Sequence, residues 1–206
     1  MASEAWDRFE DSLALDFERW HDGIGIDLDA LAALEGAERE RAEARLLGAP
    51  ALTWREVQGL AVLDTAAARA ALRGVLAEGD DRETQLAVVR HAPGVLGPGE
   101  LDAILVAGLG DAVIGGGLTS VLDLVEAHHP PAVLDALVAR ARDRPGEVAV
   151  HLAALADFLL GPATEAFDWD HRPLYLRFHA PPGSPERDEV WRELGARFGA
   201  ASPSPG

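Results

Sequence analysis

The 206-residue sequence predicts an all-α fold, a short α-solenoid of stacked helical hairpins. About ten or eleven helices are expected, with non-repetitive segments at both ends. Two observations predict this. From Arg55 to Asp157 the chain carries no Trp, Tyr or Phe, and all twelve aromatic residues lie outside that span. Within it, Ala, Leu and Val recur at steps of three and four, and Pro, Gly and Asp break the runs into helix-sized pieces.

The first helix is expected over about Ser3–Trp20. Ser3 serves as N-cap, and Trp6, Phe9, Leu13, Phe17 and Trp20 share one face. A loop follows, Trp20-His21-Asp22-Gly23-Ile24-Gly25-Ile26-Asp27-Leu28-Asp29, in which Ile24 and Ile26 are expected to plug a core. Asp27 caps a second helix with the face Leu28, Leu31 and Leu34, and Gly48 and Pro50 stop the helical run that follows it. Thr53-Trp54-Arg55-Glu56 has the spacing of a capping box. Helices are then expected over 54–63, 65–78 with Asp64 as cap, 82–90, 99–109, 116–127, 131–142 and 147–160. Gly115-Gly116-Gly117 reads as a loose helix start, since no strand, Lys or nucleotide-binding spacing accompanies it. A last helix begins after Ser184, with Pro185 at its first position.

The second helices of successive pairs share a spacing. Leu72, Val75 and Leu76 match Leu101, Ile104 and Leu105, then Leu134, Leu137 and Val138. Over about Thr53–Leu160 this pattern resembles HEAT-like (armadillo-type) repeat proteins. The resemblance implies a curved stack with a partner-binding surface, and it implies no chemistry. One helical-repeat domain over 1–199 is expected. It comprises an acidic N-terminal cap (1–50), the array (53–160), an aromatic C-terminal cap (163–199), and then a disordered tail (200–206).

The net charge of −17 disfavours direct contact with nucleic acid or an anionic membrane, and would steer a basic protein toward the chain. Residues 1–50 hold thirteen acids against five arginines, and 51–206 hold twenty-two against thirteen. The chain has no Cys, so disulfides, thiolate metal sites and a Cys nucleophile are excluded. No signal peptide or membrane-spanning run is visible, which gives a cytoplasmic expectation. No cofactor-binding motif is present, and none is expected.

Two segments outside the array carry candidate sites. His21, Asp22, Asp27 and Asp29 offer imidazole and carboxylate ligands, a pattern that a metal-dependent hydrolase could use. Asp168, Asp170, His171 and Arg172 offer paired carboxylates beside a histidine. Both segments also place Trp beside His and Asp. Trp and Tyr concentrate at binding hot spots, and acids around them select a basic partner. The preferred reading is a partner-binding surface formed by Trp20, His21, Asp22, Asp27, Asp29, Trp169, Asp170, His171, Arg172 and Tyr175. The rival reading is simple closure of the ends of the stack. The expectation is a non-enzymatic binding protein without bound metal. In size and acidity the chain resembles small bacterial immunity or antitoxin-type proteins that neutralise a basic partner.

Overall fold

The computed structural model describes residues 2–14, 17, 21–78 and 81–198. Among them are twelve α-helices and three 3-10 turns, with no strand. Trp20 and the tail expected over 200–206 lie outside the described residues. The chain forms two compact units, Met1–Pro98 and Gly99–Gly206.

The first unit contains α1 (Glu4–Leu13), α2 (Leu28–Ala32), α3 (Gly36–Leu47), α4 (Trp54–Leu63), α5 (Ala66–Glu78) and α6 (Arg82–His91), then a 3-10 turn at Pro93–Val95. Helix α4 is its hub and packs on α2, α3, α5 and α6. Phe9, Leu31, Leu46, Val57, Leu60, Leu72 and Val88 form the buried aliphatic core. A Cβ on Gly59 would sit 2.8 Å from a Leu46 methyl, so glycine lets α3 and α4 approach there. The capping box at Thr53 and Glu56 forms as its spacing requires.

Three details depart from expectation. Helix α1 ends at Leu13, because Ala14 turns to extended backbone while its N–H bonds the Asp11 carbonyl. The face shared by Phe9 and Leu13 therefore does not carry on to Phe17, which is exposed. Ile26 is buried as expected, but Ile24 is nearly half exposed. Asp64 does not cap α5. It ends α4 in the left-handed region, at φ 50°, and grips Arg69. The cap is Thr65, whose hydroxyl oxygen accepts the Ala68 N–H at 3.0 Å.

The second unit contains α7 (Glu100–Asp111), α8 (Leu118–Ala127), α9 (Pro131–Asp143) and α10 (Gly146–Leu160). Beyond these come a 3-10 turn at Trp169–His171, α11 (Arg172–Leu176), a second turn at Arg177–His179, and α12 (Pro185–Gly195). Helix α10 is apolar on nearly every side and is covered by α8, α9, α11 and the Arg177–His179 turn. Gly115–Gly117 is a helix start, as read, with Val113 and Gly116 closing a small turn by reciprocal backbone bonds.

Within each unit, helices pack on their sequence neighbours and on the next but one, as α4 does on α6 and α7 does on α9. The three repeated triplets do not share a burial pattern, however. Leu72 is buried in the first position of its triplet, Leu105 in the third and Leu137 in the second. The common spacing reflects helical periodicity, while each helix is rotated to suit its own neighbours.

Arginines close the ends of helices remote in sequence. Arg39 donates to the Leu63 carbonyl at 3.0 Å, and Arg55 to that of Ser12 at 2.7 Å. Arg144 reaches Gly110 and Ala112 at 2.8 and 2.6 Å. Arg187, only 1% exposed, donates to five carbonyls. Three of these, Ala141, Arg142 and Arg144, close α9, and Phe178 and Ala180 follow α11. The last carbonyls of a helix lack intrahelical donors, and a guanidinium carries five. The dipole at a helix C-terminus favours the positive charge as well. Burial lowers the Arg187 pKa, yet the side chain stays charged at any ordinary pH.

His91 ends α6, and its Nε2 faces the Gln58 amide at 3.2 Å. Burial, with Arg90 nearby, lowers its pKa. The unfolded chain therefore takes up the proton first as pH falls below about 6.5. Stability should decline through that window and level off below the folded pKa. Urea midpoints between about pH 7.5 and 5 should show a shallower slope in His91→Gln than in the wild type. Identical slopes would show that the site is not coupled to folding.

Candidate functional site

The aromatic segment after α10 is built around a buried carboxylate. Asp157 is the lone acid in an apolar run, and it is fully buried. Arg197 grips it with two bonds, Nε to Oδ1 at 3.0 Å and Nη2 to Oδ2 at 2.9 Å. The Tyr175 hydroxyl donates to Oδ2 at 2.9 Å, and His171 Nδ1 lies 3.3 Å from the same oxygen. Burial raises the Tyr175 pKa, and its bond to the carboxylate raises it further, so the phenol stays protonated. The arrangement is a satisfied clamp, with both carboxylate oxygens occupied by donors. It fastens His171, Tyr175 and Arg197 to α10 and leaves the carboxylate no open side for a reacting group.

Gly161 belongs to the clamp. A Cβ there would collide with the Asp157 carboxylate and lie 2.8 Å from the Asp157 carbonyl oxygen. Gly161→Ala should cost about 1–3 kcal/mol, as overpacking does in a tight core. Chemical denaturation would measure it, and a loss within error would mean that the helix end moves aside freely.

Asp168 holds the next turn. Its carboxylate accepts the Thr164 backbone N–H and hydroxyl, both at 3.0 Å, and the Asp170 N–H at 3.0 Å. The Thr164 backbone bond is the main reason its pKa is lowered. Phe167 packs its ring against His151, Tyr175 and Trp169 at centroid distances of 5.3, 5.6 and 5.9 Å. Trp169 stands at the outer end of this ladder and is 67% exposed. The Arg172 guanidinium lies over its ring at 5.1 Å.

Tyr175, expected on a contact surface, is instead a core residue. Its ring fills the space under the segment, and its hydroxyl satisfies Asp157. His171 is also turned inward, with Nδ1 2.8 Å from Arg197 Nη2. Trp169, Asp170 and Arg172 face solvent, so the inward residues support the turn and the outward ones remain available for contact.

In the first unit, His21 and Asp22 pair with each other at 3.0 Å in solvent. Asp27 caps α2 through the Ala30 N–H at 2.8 Å and takes Arg8 at 2.7 Å. The Ala30 bond is the leading cause of its lowered pKa, with Arg8 adding to it. Asp29 is exposed in the first turn of α2. Arg8, Asp11, Ser12 and Ile24–Asp27 line a pocket of about 520 Å³. Asp27 is thus committed to structure. Among the described residues no three His, Asp or Glu side chains converge as a metal site.

Sequence reading did not foresee Asp157 or Arg197 as partners. A single carboxylate in Val148–Leu160 was a usable signal for the first, while nothing in the sequence near Arg197 marks the second. No family model, curated protein or solved structure matches this chain.

Proposed function

We propose that the chain is a non-enzymatic binding protein whose partner is a protein with a basic surface. One observation carries this reading: carboxylates outnumber cations about two to one in the sequence of both units, and many of them are exposed. Residues 1–98 hold nineteen acids against ten arginines, and residues 99–206 sixteen against eight. Several arginines are committed to main-chain carbonyls rather than to carboxylates. Exposed acids such as Glu4, Asp7, Glu40, Asp135, Glu147 and Asp188 have no guanidinium partner among the described residues. Such a surface speeds encounter with a positively charged protein and rejects acidic ones. A HEAT-like hairpin scaffold would present the surface on packed helices. Neutralisation of a basic toxin or nuclease, as by an immunity or antitoxin-type protein, is the specific form that size and acidity favour.

Affinity capture from the native host tests the reading. A basic protein should be retained at about 50 mM salt and released by about 500 mM, where screening shortens the range of surface charge. Retention of only acidic or neutral proteins would overturn it. Elemental analysis of the same preparation addresses the rival metal-dependent hydrolase. Stoichiometric zinc or manganese would favour that class.

A further inference from the structure

We propose that Trp169 is the anchor for this partner, seating an arginine or lysine side chain on its indole ring. The inference rests on the basic-partner reading above and gives it a location. An exposed tryptophan on a mobile loop would carry little weight, because ordering it opposes binding. Trp169 is already ordered. Phe167 meets its ring edge-on at 72°, Tyr175 supports Phe167, and Tyr175 is tied to the buried Asp157. Asp168 fixes the backbone of the turn through Thr164 and Asp170.

The ring is also shown to accept a cation. Arg172 lies over it at 5.1 Å, within the range at which an indole face attracts a guanidinium. With two thirds of the residue in solvent, room remains for a second cation or for exchange with the first. Asp170, next in sequence, and Glu165, four residues before, are exposed carboxylates without a guanidinium partner among the described residues. Leu176 lies one helical turn beyond Arg172 in α11 and is partly exposed, which adds an apolar contact. An exposed aromatic anchor with exposed carboxylates close by in sequence suits a basic segment of a partner protein.

The probe is an arginine-rich synthetic peptide, titrated calorimetrically into the full chain and its variants. Wild type should bind it with salt-sensitive affinity. Trp169→Ala should weaken binding roughly tenfold or more, as hot-spot truncation does. Trp169→Phe keeps an aromatic edge for Phe167 and should fall between the two. The Glu165→Gln/Asp170→Asn pair should weaken binding several-fold. The control pair Glu186→Gln/Asp188→Asn on α12 removes as much charge elsewhere in the unit and should change it less than about twofold. Thermal melts of each variant check the fold.

Equal losses from both charge pairs, with Trp169→Ala unchanged, would overturn the anchor and leave the basic-partner reading standing. No binding by wild type to either arginine-rich or lysine-rich peptide would overturn both. A wild-type dimer that becomes a monomer in Trp169→Ala would show that a second copy of the chain covers the ring, and would also overturn the anchor.

Discussion

Arg187→Met should lower the melting temperature by about 10 °C, the largest effect expected of any single substitution. The variant keeps the aliphatic length of the side chain but removes every donor. Five carbonyls then lose their partner in a region the side chain itself keeps dry. An unsatisfied buried acceptor costs about 1–3 kcal/mol; three of the five bonds are buried, and partial relaxation brings the sum to about 3–5 kcal/mol. In a chain of this size each kcal/mol moves the midpoint by about 2–4 °C. Arg187→Lys should recover less than half of the loss. An ammonium is a compact charge that cannot bridge carbonyls on both sides of a planar fork. Calorimetric melts of the two variants decide the matter. A loss below about 1 kcal/mol in Arg187→Met would mean that water replaces the guanidinium at little cost.

Arg197→Met comes second. Its removal leaves the Asp157 carboxylate fully buried, with Tyr175 and His171 as its remaining neighbours. Breaking one side of a buried ion pair typically costs about 3–5 kcal/mol, because the remaining charge keeps its desolvation penalty. The double variant Asp157→Asn/Arg197→Met should be more stable than Arg197→Met alone, since it removes the orphaned charge. A denaturation cycle over the four proteins isolates the coupling. Strict additivity would show that the two side chains do not act as a pair.

The helices were legible in the sequence because their stops are local. Thr53, Ser184, Pro131 and Gly161 each act within a turn of where they stand, and the helices form where they allow. Reading failed where the backbone left the helical path, at Asp64 and at Ala14, or where the partner lay far away in sequence. Asp64 looked like a cap until Arg69 and the left-handed backbone claimed it. Phe17 continued an apolar period that α1 itself did not continue. The candidate site was half visible. Composition marked the segment around Trp169, but which of its residues point inward is fixed by Asp157 and Arg197. These lie 40 residues apart and carry no shared motif. Tyrosine is common at interfaces, which is why the sequence points to contact at Tyr175, yet a buried carboxylate supplies the partner its hydroxyl needs.

The arginine ties also bear on how fast the second unit comes apart. Arg187 reaches Arg144 across 43 residues, and Arg197 reaches Asp157 across 40. Neighbouring helices such as α9 and α10 need only a short loop to meet, whereas these ties require the long loop to close first. They therefore fasten a structure that is already assembled. Weakening them should leave the refolding limb of a chevron nearly in place and raise the unfolding limb. The guanidinium groups would then act as a brake on unfolding, prolonging the lifetime of the native chain more than hastening its formation.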